Sequence, residues 1–405
     1  MKAEFFQTRW RRWAAVWLVL FLALGLGGCG GAGGDSSSPP PLVSVPVNPV
    51  GAGQFKEVTP IQTLSLGDIA SALGTLGDQA LQVKPRYGVA AYRMTYLTQD
   101  GYGQPITASA LVVVPQKAAG ASSPVLSYQH ATIKRNAQAP SYLADLASPE
   151  IVMASLGFLV VSSDYVGYGA SHGAAHPYLL AAPSAAAIID LLTASKYWRE
   201  TQKIADNGQL FLAGYSEGGY VTMAAARALQ LGTSPHLAQL VSVVPGAGPY
   251  NAALTLDELL GLVRDEYPLI GWLLHPGLLK YLSDSDRDNV RNALLEALMG
   301  DDADVLFLPA VLDAYLADER DRMEIISDVD NWLPSMPVHL FHGREDQTVS
   351  FYNSSNTFQK MQALGAGSRV SLTECTTAPP AGHLPCVGPY FEFVIKTLAA
   401  AARDL

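Results

Sequence analysis

Residues 209–219 read QLFLAGYSEGG, an apolar run that ends in Gly214-Tyr215-Ser216-Glu217-Gly218. This is the G-x-S-x-G pattern. Set between a strand and a helix, it makes a turn too tight for side chains at the glycine positions, and it leaves the serine hydroxyl exposed above a sheet in a strained conformation. The helix that begins at Glu217 directs its unpaired N–H groups and positive dipole end at the same point. A serine hydroxyl is a weak nucleophile and needs a base, which in turn needs an orienting acid. For such an elbow the chain order is serine, acid, histidine. The histidines downstream of Ser216 are His236, His275, His339, His342 and His383. His339 and His342 fall in or at the end of an apolar strand and read as sheet-end residues. His383 sits in the loop APPAGHLPC, where a base reaches back to the elbow. Asp346, on the turn after that strand (HGREDQTV), is the candidate acid, with Glu345 as its rival.

A tetrahedral intermediate needs two N–H donors for its oxyanion. One is expected from Glu217, the residue after the nucleophile. The other is expected from the loop after the strand at 124–128, at His130 or Ala131. Cys375 and Cys386 flank the His383 loop, and an even pair in an exported chain reads as a disulfide that would hold the base loop.

These residues must be positioned by alternating strands and helices. Residues 91–98 and 106–115 flank a Gly-bearing turn and read as an antiparallel hairpin. Buried-strand runs follow at 124–128, 157–162, 209–213, 240–244 and 338–341, with helical stretches at 183–198, 217–231 and 352–364. Antiparallel entry followed by β-α repeats predicts an α/β fold, a mostly parallel sheet covered by helices on both faces. Residues 251–333 break the rhythm with helical, acidic sequence. They read as an inserted cap between two parts of the core, 56–250 and 334–405. The acidic spacing there does not match a calcium loop, and no metal site is expected.

The first 28 residues read as a leader: Lys2, Arg9, Arg11 and Arg12 precede an apolar run that ends in Leu26-Gly27-Gly28-Cys29. The run is short for a membrane span. The ending resembles a bacterial lipobox, in which the cysteine is lipidated, so Cys29 is the expected lipid anchor. Residues 29–55 are rich in Gly, Ser and Pro and read as a flexible tether. The expected location is therefore the cell envelope, with membrane contact through the lipid.

Composition sets the outer bounds. With 49% hydrophobic and 15% charged residues, the chain has a core to bury. Its net charge of −10 argues against nucleic acid as a partner, since phosphate binding needs clustered Lys and Arg.

Taken in order, SYQHAT, SSDYVGYGAS with HPYLLA, GYSEGG, HGREDQTV and GHLPC resemble the bacterial branch of the secretory lipase and esterase family of α/β-hydrolases, from about residue 92 to the C-terminus. The resemblance implies ester hydrolysis through an acyl-enzyme, no cofactor, and a helical cap over an acyl pocket. It carries the nucleophile onto Ser216, the acid onto Asp346 and the base onto His383, with Asp164 and Tyr165 bracing the site. One departure is a His-Ala pair at 130–131 where relatives usually have His-Gly. The expected substrate is a small-molecule or lipid ester. An exported peptidase or amidase with the same three residues, and a non-catalytic surface lipoprotein, are the alternatives.

Overall fold

Alternation along the strands decides which side chains meet which helices. In β3 (Pro105–Pro115), Ala108, Ala110 and Val112 enter one apolar cluster while Leu111 and Val113 enter the other. In β6 (Asp206–Tyr215), Leu210 and Leu212 face the first cluster, and Phe211, Ala213 and Tyr215 the second. This is the period-two pattern of a sheet buried on both faces. The computed structural model describes residues 45–75, 83–264, 271–299, 302–376 and 380–405. The leader, Cys29 and most of the tether lie outside them.

The sheet has nine strands in the order β1-β2-β3-β5-β4-β6-β7-β8-β9. Strands β1 (Phe55–Leu64), β2 (Val89–Gln99) and β3 run antiparallel, as does the β3–β5 pair. β4 (Ser123–Gln129), β5 (Leu159–Ser163), β6, β7 (Leu240–Gly246), β8 (Val338–His342) and β9 (Val370–Glu374) are parallel. The sheet is covered on one side by α3 (Ala181–Gln202) and α4 (Glu217–Leu231), and on the other by α1 (Leu66–Thr75), α2 (Pro149–Ser155) and α10 (Val387–Ala401). The expected α/β fold and the hairpin are present.

Between β7 and β8 the chain makes α5 (Ala252–Arg264), α6 (Asp284–Met299), α7 (Ala310–Leu316) and α8 (Arg320–Ile326). Leu260, Leu274 and Leu279 are buried in their packing, whereas Trp272 is exposed. The acidic residues at the start of α6 lie on its surface, where Asp284 and Asp288 pair with Arg287 and Arg291. α9 (Tyr352–Ala363) follows β8. No helix of the described residues is long and apolar enough to cross a membrane.

Two features depart from the sequence reading. Residues 48–54, assigned by composition to the tether, are bonded to the core: the Asn48 amide exchanges hydrogen bonds with the backbone of Phe55, and Gly53 and Gln54 bond to Leu97. Backbone pairing to β2 overrides the composition there. β1 and β9 are strands beyond those that the apolar runs predict. β1 is an edge strand with mostly exposed side chains, so it carries no apolar run.

The strand order reverses between β4 and β6. Open parallel sheets bind ligands at such a switch point, beyond the carboxyl ends of the strands. The turn after β6 and the loop after β4 emerge there side by side, with Gln129 in register with Gly214.

Candidate active site

The turn after β6 is as strained as its sequence requires. Ser216 has φ 60° and ψ −124°, a conformation rare for residues other than glycine and held only when the surroundings over-determine it. Its N–H donates to Gly246 O at 2.9 Å and its carbonyl accepts from Tyr220 at 3.1 Å. A Cβ on Gly218 would lie 2.0 Å from Gln129 O, and one on Gly214 would lie 2.4 Å from Gly218 O. Glycine is thus required at both positions by backbone approaching from two sides.

The structure brings Ser216, His383 and Asp346 into one hydrogen-bonded chain. His383 Nε2 lies 2.8 Å from Ser216 Oγ, and His383 Nδ1 lies 2.6 Å from Asp346 Oδ2. With the proton on Nδ1 donated to Asp346, Nε2 is left to accept from the serine hydroxyl. Asp346 is buried, and its other oxygen accepts from the N–H groups of Thr348 and Val349, each at 2.9 Å. Burial alone would push this carboxyl up. Hydrogen bonds from His342 and His383, then the charge of His383 and the Val349 N–H, outweigh it and hold Asp346 well below the usual carboxylate range.

His342 contributes more than a sheet end. Fully buried, it places Nε2 at 2.8 Å from Val349 O and 3.2 Å from Asp346 Oδ2, while Nδ1 lies 2.7 Å from Ser354 Oγ. Its N–H thus faces the acid, a role the sequence reading did not assign. The position, four residues before Asp346, was the available signal. Glu345, the rival acid, instead accepts from the Ala381 N–H at 3.0 Å and so holds the base loop. That loop is further fixed by the Tyr215 hydroxyl, which donates to His383 O at 2.8 Å. The Cys375–Cys386 disulfide is formed and closes the loop around His383.

On the other side of Ser216, Glu217 is the first residue of α4. Its N–H therefore has no carbonyl one turn earlier in the helix to bond. The backbone of Gln129 and His130 packs against Gly218, which brings His130 and Ala131 to the elbow. Tyr165 holds this loop. Its hydroxyl donates to His130 O at 3.0 Å and its ring stacks on His130 at 4.0 Å, from a backbone with φ 64°. Asp164 is buried and accepts from Ser109 and from the Ser141 N–H and hydroxyl. It stabilises the neighbouring loop and has no contact with Ser216, His383 or Asp346.

Two hollows bear on the surroundings of the site. A small apolar hollow of ≈ 20 Å³ lies where Tyr178 and Leu179, just before α3, meet Leu256, Phe307, Leu308 and Leu312 of the inserted segment. A cleft of ≈ 800 Å³, lined partly by Leu259, Arg344, Phe351 and Phe358, reaches Asp346 but neither Ser216 nor His383. It therefore opens behind the acid, away from the nucleophile.

Comparison with known proteins agrees with this architecture. A family model described as X-Pro dipeptidyl-peptidase (S15 family) matches residues 106–379. Lipase 9 of Candida albicans is 24% identical over 315 residues, which span 67% of this chain and 65% of that protein. Among solved structures, the rice cell wall degrading esterase LipA of Xanthomonas oryzae superposes with a TM-score of 0.69 at 23% identity, covering 87% of this chain and all of that one. Candida antarctica lipase A in its closed state superposes at 0.56 with 18% identity, covering 87% and 84% of the two chains. Likeness at these identities establishes the shared α/β-hydrolase fold, which is the superfamily the motifs resemble. The matched family carries a peptidase's description where the motifs resemble lipases and esterases. By the extent of the family match, the chain belongs to the X-Pro dipeptidyl-peptidase (S15) family.

Proposed function

We propose that the protein is an exported serine carboxylic-ester hydrolase in which Ser216 is the nucleophile, His383 the base and Asp346 the orienting acid. The observation that carries this reading is the continuous hydrogen-bonded chain from Ser216 Oγ through His383 to Asp346. His383 takes the hydroxyl proton as Oγ attacks the ester carbonyl. The N–H groups of Glu217 and of His130 or Ala131 receive the oxyanion. Collapse of the intermediate releases the alcohol, which leaves with the proton held on His383. Water, deprotonated by His383, then attacks the acyl-enzyme and frees the acid and Ser216. No step requires a cofactor. The helices of 251–333 act as a cap. The leader and Cys29 support export and lipid anchoring at the cell envelope.

Amide hydrolysis is the second reading, favoured by the description of the matched family. A peptidase that captures a substrate amine needs a carboxylate at its site. Glu217, the carboxylate adjacent to the nucleophile, is already engaged by His176 at 2.7 Å. The names of the relatives, a lipase and an esterase, point the same way. Hydrolysis of p-nitrophenyl esters of rising acyl length should exceed that of an aminoacyl p-nitroanilide by roughly 10²-fold or more in kcat/KM, about 3 kcal/mol in barrier. Faster cleavage of the anilide would assign the site to peptides.

A further inference from the structure

Glu217 supplies more than a backbone N–H. Its side chain is buried, with 2% of the residue's surface accessible, and so is that of His176. His176 Nε2 lies 2.7 Å from Glu217 Oε1, and His176 Nδ1 lies 2.8 Å from Val166 O. A carbonyl only accepts, so Nδ1 carries a proton. One further proton must then lie between Nε2 and Oε1. Whether drawn as imidazolium and carboxylate or as imidazole and carboxylic acid, the pair has no net charge. The other carboxyl oxygen of Glu217 is buried without a partner, so the link to His176 is what satisfies this group.

The surroundings show why that link matters. The imidazole is ringed by Tyr165, Tyr168, Tyr178 and Phe307, with ring centroids 5.1–6.0 Å away. Its backbone bonds to the segment that leads out of α6: His176 N–H donates to Leu306 O at 2.7 Å, and Leu308 N–H donates to His176 O at 2.9 Å. The same segment bonds to the loop after β4, through Asp304 N–H to Lys134 O at 3.1 Å and Asn136 N–H to Asp304 at 2.7 Å. One residue thus joins the inserted segment to the first turn of α4.

An uncompensated carboxylate at that turn would oppose negative charge developing on a bound oxyanion and would draw on the same helix dipole. Left unpaired, it would also have to move to find water, taking the Glu217 N–H with it. Removing one partner of a buried pair is costly in a way that replacing both is not.

We propose that His176 is a positioning residue for the oxyanion side of the site: it neutralises and holds the Glu217 side chain, and it seats the inserted segment beside it. The proposal rests on the reading of Ser216 as nucleophile and Glu217 N–H as oxyanion donor. The test compares kcat and KM for a p-nitrophenyl ester, with Tm, in the full chain, His176→Ala, the double variant His176→Ala/Glu217→Met, and Ser216→Ala. His176→Ala should lose about 10²-fold in kcat, the scale of one oxyanion donor, with KM changed less than about threefold. The double variant should regain about tenfold of that loss, because no buried carboxylate remains to be satisfied. A residue with only a structural role would lower Tm in both variants without this recovery. If kcat of His176→Ala stays within threefold of the parent, or if the double variant is no faster than the single, the proposal is overturned. Should His176→Ala fail to fold, His176→Gln takes its place alone and with Glu217→Met, under the same criteria. Ester hydrolysis retained by Ser216→Ala would instead remove the reading of the nucleophile on which the proposal rests.

Discussion

Asp346→Asn should lower kcat by roughly 10³- to 10⁴-fold with little change in Tm, the scale seen when the orienting acid of a serine hydrolase is replaced by its amide. The surroundings of Asp346 determine why. Its Oδ1 accepts from two backbone N–H groups, of Thr348 and Val349, so the carbonyl oxygen of an asparagine must take that place. The amide NH₂ is then forced towards His383 Nδ1 and His342 Nε2. A donor facing Nδ1 favours the tautomer with its proton on Nε2, which meets the Ser216 hydroxyl with a donor where an acceptor is needed. Steady-state kinetics with thermal unfolding measures this. A variant within tenfold of the parent would mean that Asp346 does not orient the base.

Removal of the disulfide should lower activity more than stability. The Cys375–Cys386 bridge joins the end of β9 to the start of α10 and is buried, so reductant reaches it slowly and the Cys375→Ala/Cys386→Ala variant is the cleaner probe. A bridge closing so short a loop contributes about 3 kcal/mol or less by the chain-entropy account. The sheet and its helices do not depend on it. The His383 loop does, since among the described residues it is otherwise tied by single hydrogen bonds: Tyr215 to His383 O, the Ala381 N–H to Glu345, and the His383 ring to Asp346 and Ser216. Misplacing a base by about 1 Å costs on the order of 10²-fold. We expect kcat to fall about tenfold or more while most molecules remain folded at the assay temperature. Equal loss of activity and of far-UV circular dichroism would contradict a specific role in holding the base.

Much of this arrangement was legible along the chain because it is local. β6, the elbow and α4 form one continuous stretch, in which the glycines report close backbone contacts and the apolar run reports a buried strand. Asp346 and His383 followed from chain order and from their places on a strand-end turn and a late loop. What was not legible depends on how the chain turns back on itself or on residues distant in sequence. His342 meets Asp346 only because the turn after β8 folds back on the strand. His176 and Glu217 stand 41 residues apart, and no periodicity links them. β1 gains its place by backbone pairing to β2, an interaction nearly independent of side-chain type. Of the two residues expected to offer a second N–H, His130 has its backbone against Gly218 of the elbow.

The proposed chemistry stands or falls with Ser216. The direct test is kcat/KM for a p-nitrophenyl ester with the full chain and with Ser216→Ala, together with mass analysis of the Ser216 peptide after a fluorophosphonate. The variant should lose about 10⁴-fold or more, and the parent should carry one phosphonyl group on Ser216. Ester hydrolysis by Ser216→Ala within tenfold of the parent, or a label on another residue, would contradict it.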